Sequence, residues 1–351
     1  MSEAEILFER RGAAGIVTLN RPKALNAVSL AMVHALHAQL ADWADDEAVT
    51  RVIIKANGER AFSAGGDVRS LYDLGKAGRH KDALQFWADE YPLDVAIKNY
   101  RKPYIALIDG IAMGGGIGIS VHGSHRVAFD RCSFAMPEVS IGFFPDVGAT
   151  WFLPRMPGEL GTYCALTGER FNSADGVAAG LATHRVPSAR YGALVDGLTG
   201  TVSVDAVLSA FSEPVEEGPI TARRAIIDKL FAHDSVEAIL TALNSEAASE
   251  SNNAEWAAKT AATIRSKSPT SLKLSLAQVR FGADADFETC MRTEFRIVSR
   301  IIHGHDFYEG VRSVLVDKDN KPVWRPTHLA NVSDAEVARH FAPLEEGELA
   351  L

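Results

Sequence analysis

Two glycine-rich turns constrain this chain more than any other feature. Phe62-Ser63-Ala64-Gly65-Gly66-Asp67 follows a strand-like run and leads into a helical pattern, and Met113-Gly114-Gly115-Gly116-Ile117-Gly118 does the same further on. Without side chains, such turns let bare main-chain N–H groups meet a neighbour, whether a packed helix or a ligand. Singly each is ordinary: Gly-Gly-Asp is also a turn before an N-cap, and a glycine run also serves close helix packing. Two of them are what an oxyanion hole built from separate segments requires, with donors aimed where negative charge develops.

Strand and helix signals alternate around these turns. Gly15-Ile16-Val17-Thr18-Leu19, Arg51-Val52-Ile53-Ile54-Lys55 and Tyr104-Ile105-Ala106-Leu107-Ile108 read as strands, because β-branched and apolar residues cluster there. Leu30, Val33, Leu36, Leu40 and Trp43 recur at helical spacing after the turn Asn20-Arg21-Pro22-Lys23. Ile117, Ile119, Ser120 and Val121 predict a buried helix, followed by short apolar runs at 126–129 and 133–136. The alternation implies an α/β architecture with covered sheets. Short strands and irregular helix lengths argue against a simple doubly wound sheet. Beyond about residue 190 the strand signals stop, and 222–231, 236–243 and 287–302 read as amphipathic helices. Residues 203–220, with their acids, Pro214 and Pro219, read as a connection or surface excursion, and Glu345-Glu346-Gly347-Glu348 as a frayed end. The chain thus divides into a core over 1–200 and a helical region over 201–351 packing on it.

A net charge of −9 lacks the basic footprint of a nucleic-acid or membrane-surface binder, and no apolar run is long enough to span a bilayer. An anionic small molecule needs only a local basic rim and stays open as a ligand. At 351 residues, 47% hydrophobic and 23% charged, the chain has a soluble globular composition with room for one large domain or two. Cys132, Cys164 and Cys290 are odd in number and widely spaced, so neither a disulfide framework nor a metal spacing emerges. Together with the acidic opening Met1-Ser2-Glu3-Ala4-Glu5, which has no signal or basic transit character, this predicts a reducing, cytoplasmic location.

Chemistry is read most directly from Met136-Pro137-Glu138-Val139-Ser140-Ile141-Gly142-Phe143-Phe144-Pro145-Asp146-Val147-Gly148. Glu138 and Asp146 flank an apolar run. A carboxylate there loses hydration, and its pKa rises towards the range useful for acid–base work. Taken singly, Glu138 reads as a helix cap and Asp146 as the start of a turn. With the glycine run just upstream, the pair points to an enzyme acting on an activated carbonyl.

Leu19-Asn20-Arg21-Pro22-Lys23-Ala24-Leu25-Asn26, the 62–67 turn and the 114–116 run occur in an order and spacing that resemble the enoyl-CoA hydratase/isomerase (crotonase) superfamily. This resemblance covers about residues 5 to 190. It implies a spiral of ββα turns that binds acyl-CoA thioesters, with the thioester oxygen held by the N–H groups of Gly66 and Gly115. It also implies main-chain contacts to adenine from Ala24 and Ala64, Lys23 at the basic mouth of the CoA site, and a trimer or a pair of trimers. Arg21, Arg60 and Arg69 lie in the same segments. No redox cofactor is implied, since the CoA belongs to the substrate and no dinucleotide fingerprint is present.

One departure matters. Hydratases of this superfamily carry a glutamate at the position of Gly118, and use it with a second one, matched by Glu138, to activate water across a double bond. Glycine cannot do this. A closer similarity, to the 3-hydroxyisobutyryl-CoA hydrolase family, covers nearly the whole chain. It runs through 112–123, Glu138 with 143–148, Ser268-Pro269-Thr270-Ser271-Leu272-Lys273, and 303–312 with Asp317-Lys318-Asp319.

That similarity implies that Glu90, Gly115, Glu138 and Asp146 contact the acyl group of a short hydroxyacyl-CoA, which is hydrolysed as in valine breakdown. The amides polarise the carbonyl, Glu138 attacks or activates water, and Asp146 holds the hydroxyl or assists proton transfer. Two rivals remain: a hydratase or isomerase working through Glu138 alone, and a silent acyl-CoA-binding protein. Glu90, in Asp89-Glu90-Tyr91-Pro92, reads nearly as well as a solvated acid at a helix end. His303, His305 and His122 read as structural, with a helix cap at Asp306-Phe307, and no metal is expected.

Overall fold

The computed structural model describes residues 4–345 and 347–351. They form two compact units, each assembled from several segments. The first comprises 1–67, 89–135 and 170–221, and the second 68–88, 136–169 and 222–351.

The strands lie in the first unit. They are β1 (Ile6–Arg11), β2 (Ala14–Leu19), β3 (Arg51–Ala56), β4 (Ala61–Ser63), β5 (Tyr104–Ile108), β6 (Ile111–Met113), β7 (His125–Ala128), β8 (Ser133–Ala135), β9 (Phe171–Asn172) and β10 (His184–Arg185). The larger sheet runs β1-β2-β3-β5-β7-β10 and the smaller β4-β6-β8-β9. Each successive pair, β3 with β4, β5 with β6 and β7 with β8, therefore gives one strand to each sheet. The chain advances by parallel pairing: Val52 faces Tyr104, Ile105 faces His125, and Ala112 faces Phe134. That is a ββα spiral. Parallel strands covered on both faces need unbroken apolar runs, and β2 and β5 are buried along their whole length.

Helix α1 (Leu30–Asp45) starts where Ser29 Oγ accepts the Met32 N–H at 3.2 Å, and it buries Met32, Val33, Leu36, Leu40 and Trp43. This is the spacing read from the sequence. After α2 (Val68–Lys76) comes α3 (His80–Lys98), which runs past the helix end read at Glu90. The helix continues through the proline. Glu90 is therefore mid-helix and 2% exposed, which corrects its reading as a solvated acid at a helix end. The expected helix after the second glycine run is α4 (Gly115–Val121).

Residues 203–220 also need correction. Val204–Phe211 is a helix capped by Ser203, and it places Val204, Val207 and Leu208 in the core with Ile16, Ile53, Leu107, Val127 and Phe129. The prolines and Glu213, Glu216 and Glu217, which suggested a loop, all follow this helix.

The second unit is helical. Arg224–Phe231, Val236–Ala247 and Phe287–Ile301 fall where amphipathic patterns placed them. Pro269–Gly282 was not foreseen as a helix, because its buried face includes Ser271, Ser275 and Gln278 among the leucines, which blurs the periodicity. The chain end is tied down rather than frayed: Glu348 pairs with Arg296 at 2.9 Å and Leu349 is buried. Glu346 of that tail, and residues 1–3 of the acidic opening, lie outside the described residues. Among the described residues no helix is long and apolar enough to cross a membrane.

Candidate active site

The site residues expected from the sequence fall into two clusters, one in each unit. In the first unit, the turn after β2 is left-handed at Leu25 and Asn26, with φ of 52° and 54°. Asn26, 1% exposed, fastens this turn to the next glycine-rich one. Its Oδ1 accepts the Arg21 N–H at 2.9 Å, and its Nδ2 donates to Asn57 O and Ala61 O at 2.9 and 3.0 Å. Ser63 Oγ donates to Asn26 O at 2.8 Å, and the Ala64 N–H to Leu25 O at 3.0 Å. The turn carrying exposed Lys23 and Ala24 is thereby joined to the loop carrying Ala64 and Gly66. Two of the other cations in these segments are engaged. Arg21 bridges Glu5 and Asp67, each at 3.0 Å, and Arg69 pairs with Asp73.

A parallel bridge joins Val28 to Gly66. It uses the Val28 N–H to Gly65 O at 2.8 Å and the Asp67 N–H to Val28 O at 2.9 Å, so the Gly66 N–H takes no part in it. Gly115 opens α4, whose first ladder bonds run from the Ile117 and Gly118 N–H groups to Gly114 O. The Gly115 N–H thus precedes the ladder as well. A Cβ added at Gly115 would lie 3.2 Å from Gly66 N and 2.6 Å from Glu90 Oε1. Gly66, Gly115 and Glu90 are therefore close neighbours: two main-chain donors beside a buried carboxylate. A Cβ at Gly116 would stand 2.5 Å from Ser63 O, so close backbone approach demands glycine there too. Gly118 is buried in the same helix.

In the second unit, Glu138 opens a 3-10 turn, Glu138–Ile141, which closes on left-handed Gly142 (φ 68°). Glu138 is 7% and Asp146 5% exposed. Burial pushes the Glu138 carboxyl well above the ordinary range, the charge of Asp146 pushes it further, and a main-chain hydrogen bond opposes both. Glu138 Oε2 is buried with no hydrogen-bond partner among the described residues. The apolar surroundings read from the sequence are an aromatic cluster: Phe143 lies 4.8 Å from Phe144 and 5.6 Å from Phe307, and stacks on Trp87 at 5.5 Å. Such an acid can serve as a proton carrier or, ionised, as a poorly solvated nucleophile.

Asp146 sits on the next turn, where Val147 (φ 54°) and Gly148 (φ 85°) are both left-handed. For β-branched Val147 this is an unfavourable conformation, costing about 1–3 kcal/mol, and surrounding groups hold it. Glu294 Oε2 accepts the Gly148 N–H and its Oε1 the Thr150 N–H, both at 2.8 Å, while Gln278 Nε2 donates to Pro145 O at 2.5 Å. Both side chains are fully buried. Burial raises the Glu294 carboxyl to about 8, with Asp146 adding to the rise and the two N–H groups opposing it. Sequence reasoning missed both residues. Glu294 had left a signal: it falls on the apolar face set by Cys290, Met291, Ile297 and Val298, where a carboxylate is out of place.

Three histidines complete the set of residues read from the sequence. His122 is buried. His303 lies 4.7 Å from the His80 ring, and His305 Nδ1 is 3.0 Å from Asp306 Oδ1. The helix near them starts at His305 with Gly304 at its cap, two residues before the cap expected at Asp306. Burial lifts the Cys164 thiol to about 12, which leaves it unreactive. Among the described residues no group of three or more His, Cys, Asp or Glu side chains is arranged to hold a metal.

A family model described as enoyl-CoA hydratase/isomerase matches residues 14–341. The mitochondrial 3-hydroxyisobutyryl-CoA hydrolase of Danio rerio is 43% identical over 99% of this chain and 92% of its own. The corresponding Homo sapiens protein is 40% identical over 98% and 90%. This chain belongs to the 3-hydroxyisobutyryl-CoA hydrolase branch of the enoyl-CoA hydratase/isomerase family. A crystal structure described as a carnitinyl-CoA dehydratase, from Mycobacterium thermoresistibile, matches with a TM-score of 0.93 at 39% identity over 99% of both chains. The α/β spiral with a helical C-terminal region is therefore shared along the full length of this family member. The relatives are named as mitochondrial, which overturns the cytoplasmic expectation. Cys132, Cys164 and Cys290 are free and buried, which does not distinguish the two locations.

Proposed function

We propose that this family member hydrolyses a short hydroxyacyl-CoA thioester, 3-hydroxyisobutyryl-CoA foremost, to the hydroxy acid and free CoA. The observation that carries the proposal is Glu138, a buried carboxyl with a raised pKa and an unbonded oxygen, in a chain where Gly118 replaces the glutamate that hydration uses. The names of the full-length relatives support the same substrate.

In this reading the Gly66 and Gly115 N–H groups hold the thioester oxygen as it gains charge, each donor being worth about 3 kcal/mol of barrier. Two routes follow. In one, ionised Glu138 attacks the carbonyl carbon, the C–S bond breaks and a mixed anhydride forms. Water then cleaves the anhydride, regenerating the carboxylate and releasing the acid. In the other, Glu138 takes a proton from the attacking water and passes it to the departing thiolate. A single turnover in heavy-oxygen water separates them, since only the anhydride route can leave label in Glu138. Glu90, beside Gly115, takes the substrate hydroxyl, and Asp146 assists the proton transfers or shares that hydroxyl. Lys23, Ala24 and Ala64 hold the CoA end together with Gly66. The reaction needs no further cofactor, and the trimer or pair of trimers usual in the superfamily is part of the same proposal.

A hydratase or dehydratase reading draws on the names of the solved neighbours, and Gly118 counts against it. The substrate assignment is tested by thiol release from 3-hydroxyisobutyryl-CoA, 3-hydroxypropionyl-CoA and isobutyryl-CoA. The last lacks only the hydroxyl and is expected to fall by more than about 100-fold in kcat/KM, because buried polar groups lose their partner. The second lacks one methyl and is expected to fall by about 10- to 200-fold at most. Equal turnover of 3-hydroxyisobutyryl-CoA and isobutyryl-CoA would overturn the hydroxyacyl assignment.

A further inference from the structure

We infer that Glu294, assisted by Gln278, is a positioning residue of the hydrolysis, clamping the turn that carries Asp146. The inference rests on the reading above, in which Asp146 takes part in the reaction. Gly148 and Thr150 present N–H groups at the start of the short helix Ala149–Phe152, where no intrahelical acceptor exists. An ordinary N-cap would satisfy one of them from a neighbouring serine or aspartate. Here a carboxylate from Phe287–Ile301 takes both, one on each oxygen, at 2.8 Å. Gln278, from Pro269–Gly282, holds the carbonyl on the other side of Asp146.

The choice of residue is informative. A fully buried acid is a costly way to make two hydrogen bonds, and burial with Asp146 nearby raises the Glu294 carboxyl to about 8. In its ionised form Glu294 nevertheless has something glutamine lacks: two acceptor oxygens and no donor to repel an N–H. Bidentate capture of the Gly148 and Thr150 N–H groups fixes the backbone on both sides of Ala149, and with it left-handed Val147. Released from the clamp, Val147 would relax towards negative φ and carry the Asp146 backbone with it. Displacement of a reacting group by about 1 Å costs about 100-fold in rate.

The test uses the full-length protein and 3-hydroxyisobutyryl-CoA, with Glu294→Gln, Gln278→Met, Asp146→Asn and the two double variants that pair each clamp change with Asp146→Asn. Thermal unfolding, KM and single-turnover thiol release are measured for each. Each clamp variant is expected to keep KM and lose about 10- to 100-fold in kcat. On the Asp146→Asn background the same change should cost less than about 3-fold, because the residue being positioned is already disabled. If Glu294→Gln does not fold, Gln278→Met carries the same cycle.

Wild-type kcat in the clamp variants, or full multiplicative losses on the Asp146→Asn background, would overturn the inference. Failure of both variants to fold would do so too, since their role would then be stability alone. A wild-type protein that releases no thiol fails at the earlier step, and sinks the hydrolase reading and this inference together.

Discussion

Substituting alanine at Gly115 and, separately, at Gly116 splits fold from chemistry at adjacent positions. At Gly115 the new methyl lies 2.6 Å from Glu90 Oε1 and 3.2 Å from Gly66 N. The first is the end of a side chain and can retreat by about 1 Å, at a cost of about 1 kcal/mol. Alanine recovers about the same amount in helix propensity over glycine. The net change in stability is close to zero.

The second distance decides activity, since the methyl occupies the space through which a carbonyl oxygen must approach the Gly66 N–H. Losing such a donor costs about 10²- to 10³-fold, or about 2.7–4 kcal/mol. At Gly116 the methyl instead meets Ser63 O at 2.5 Å and Ser63 Cβ at 2.7 Å, in a strand that cannot retreat alone. A cost of about 1–3 kcal/mol is expected, read as a drop of several degrees in Tm. Thermal unfolding and thiol release per folded molecule are the paired assays. Gly115→Ala should keep its Tm and lose at least about 100-fold in kcat, whereas Gly116→Ala should lose Tm and keep more of its turnover. A Gly115→Ala variant with wild-type kcat would refute the assignment of these amides to the oxyanion.

Two further outcomes follow from the acids. Glu138→Gln should abolish turnover and also stabilise the protein. Its folded pKa lies well above the unfolded value of about 4.3. As pH rises past that value the unfolded chain gives up its proton first, so the folded state loses ground. Glutamine removes that loss. The Tm advantage of the variant should therefore be present at pH 7.5 and absent near pH 4, and scanning calorimetry showing the same difference at both would contradict it. Glu90→Gln should narrow the preference for 3-hydroxyisobutyryl-CoA over isobutyryl-CoA, read from the ratio of kcat/KM values; an unchanged ratio removes Glu90 from hydroxyl recognition.

What could be read from the sequence was what local chemistry fixes. The strands of the spiral announced themselves because parallel strands covered on both faces must be apolar throughout. The glycine turns announced themselves because Gly116 has no room for a Cβ and Gly115 accepts one only by displacing Glu90. Glu138 and Asp146 stood out as acids in apolar surroundings, and both are buried. Local rules misled where tertiary packing overrode them. Pro92 sits inside α3, so a buried Glu90 was taken nearly as readily for a surface acid. Prolines and acids just beyond Val204–Phe211 hid a helix that packs into the core. Glu294 and Gln278 act on main-chain groups more than a hundred positions away in the chain, at 2.8 and 2.5 Å. No window of sequence contains both ends of such a contact.

The most direct test of the account is to follow free thiol from 3-hydroxyisobutyryl-CoA and hydration of crotonyl-CoA with one batch of wild-type protein and one of Glu138→Gln. Rapid thiol release that disappears in the variant, with negligible hydration by either, is the expected result. Efficient hydration without thiol release would contradict it, because some other group would then be doing the work of the glutamate that Gly118 replaces.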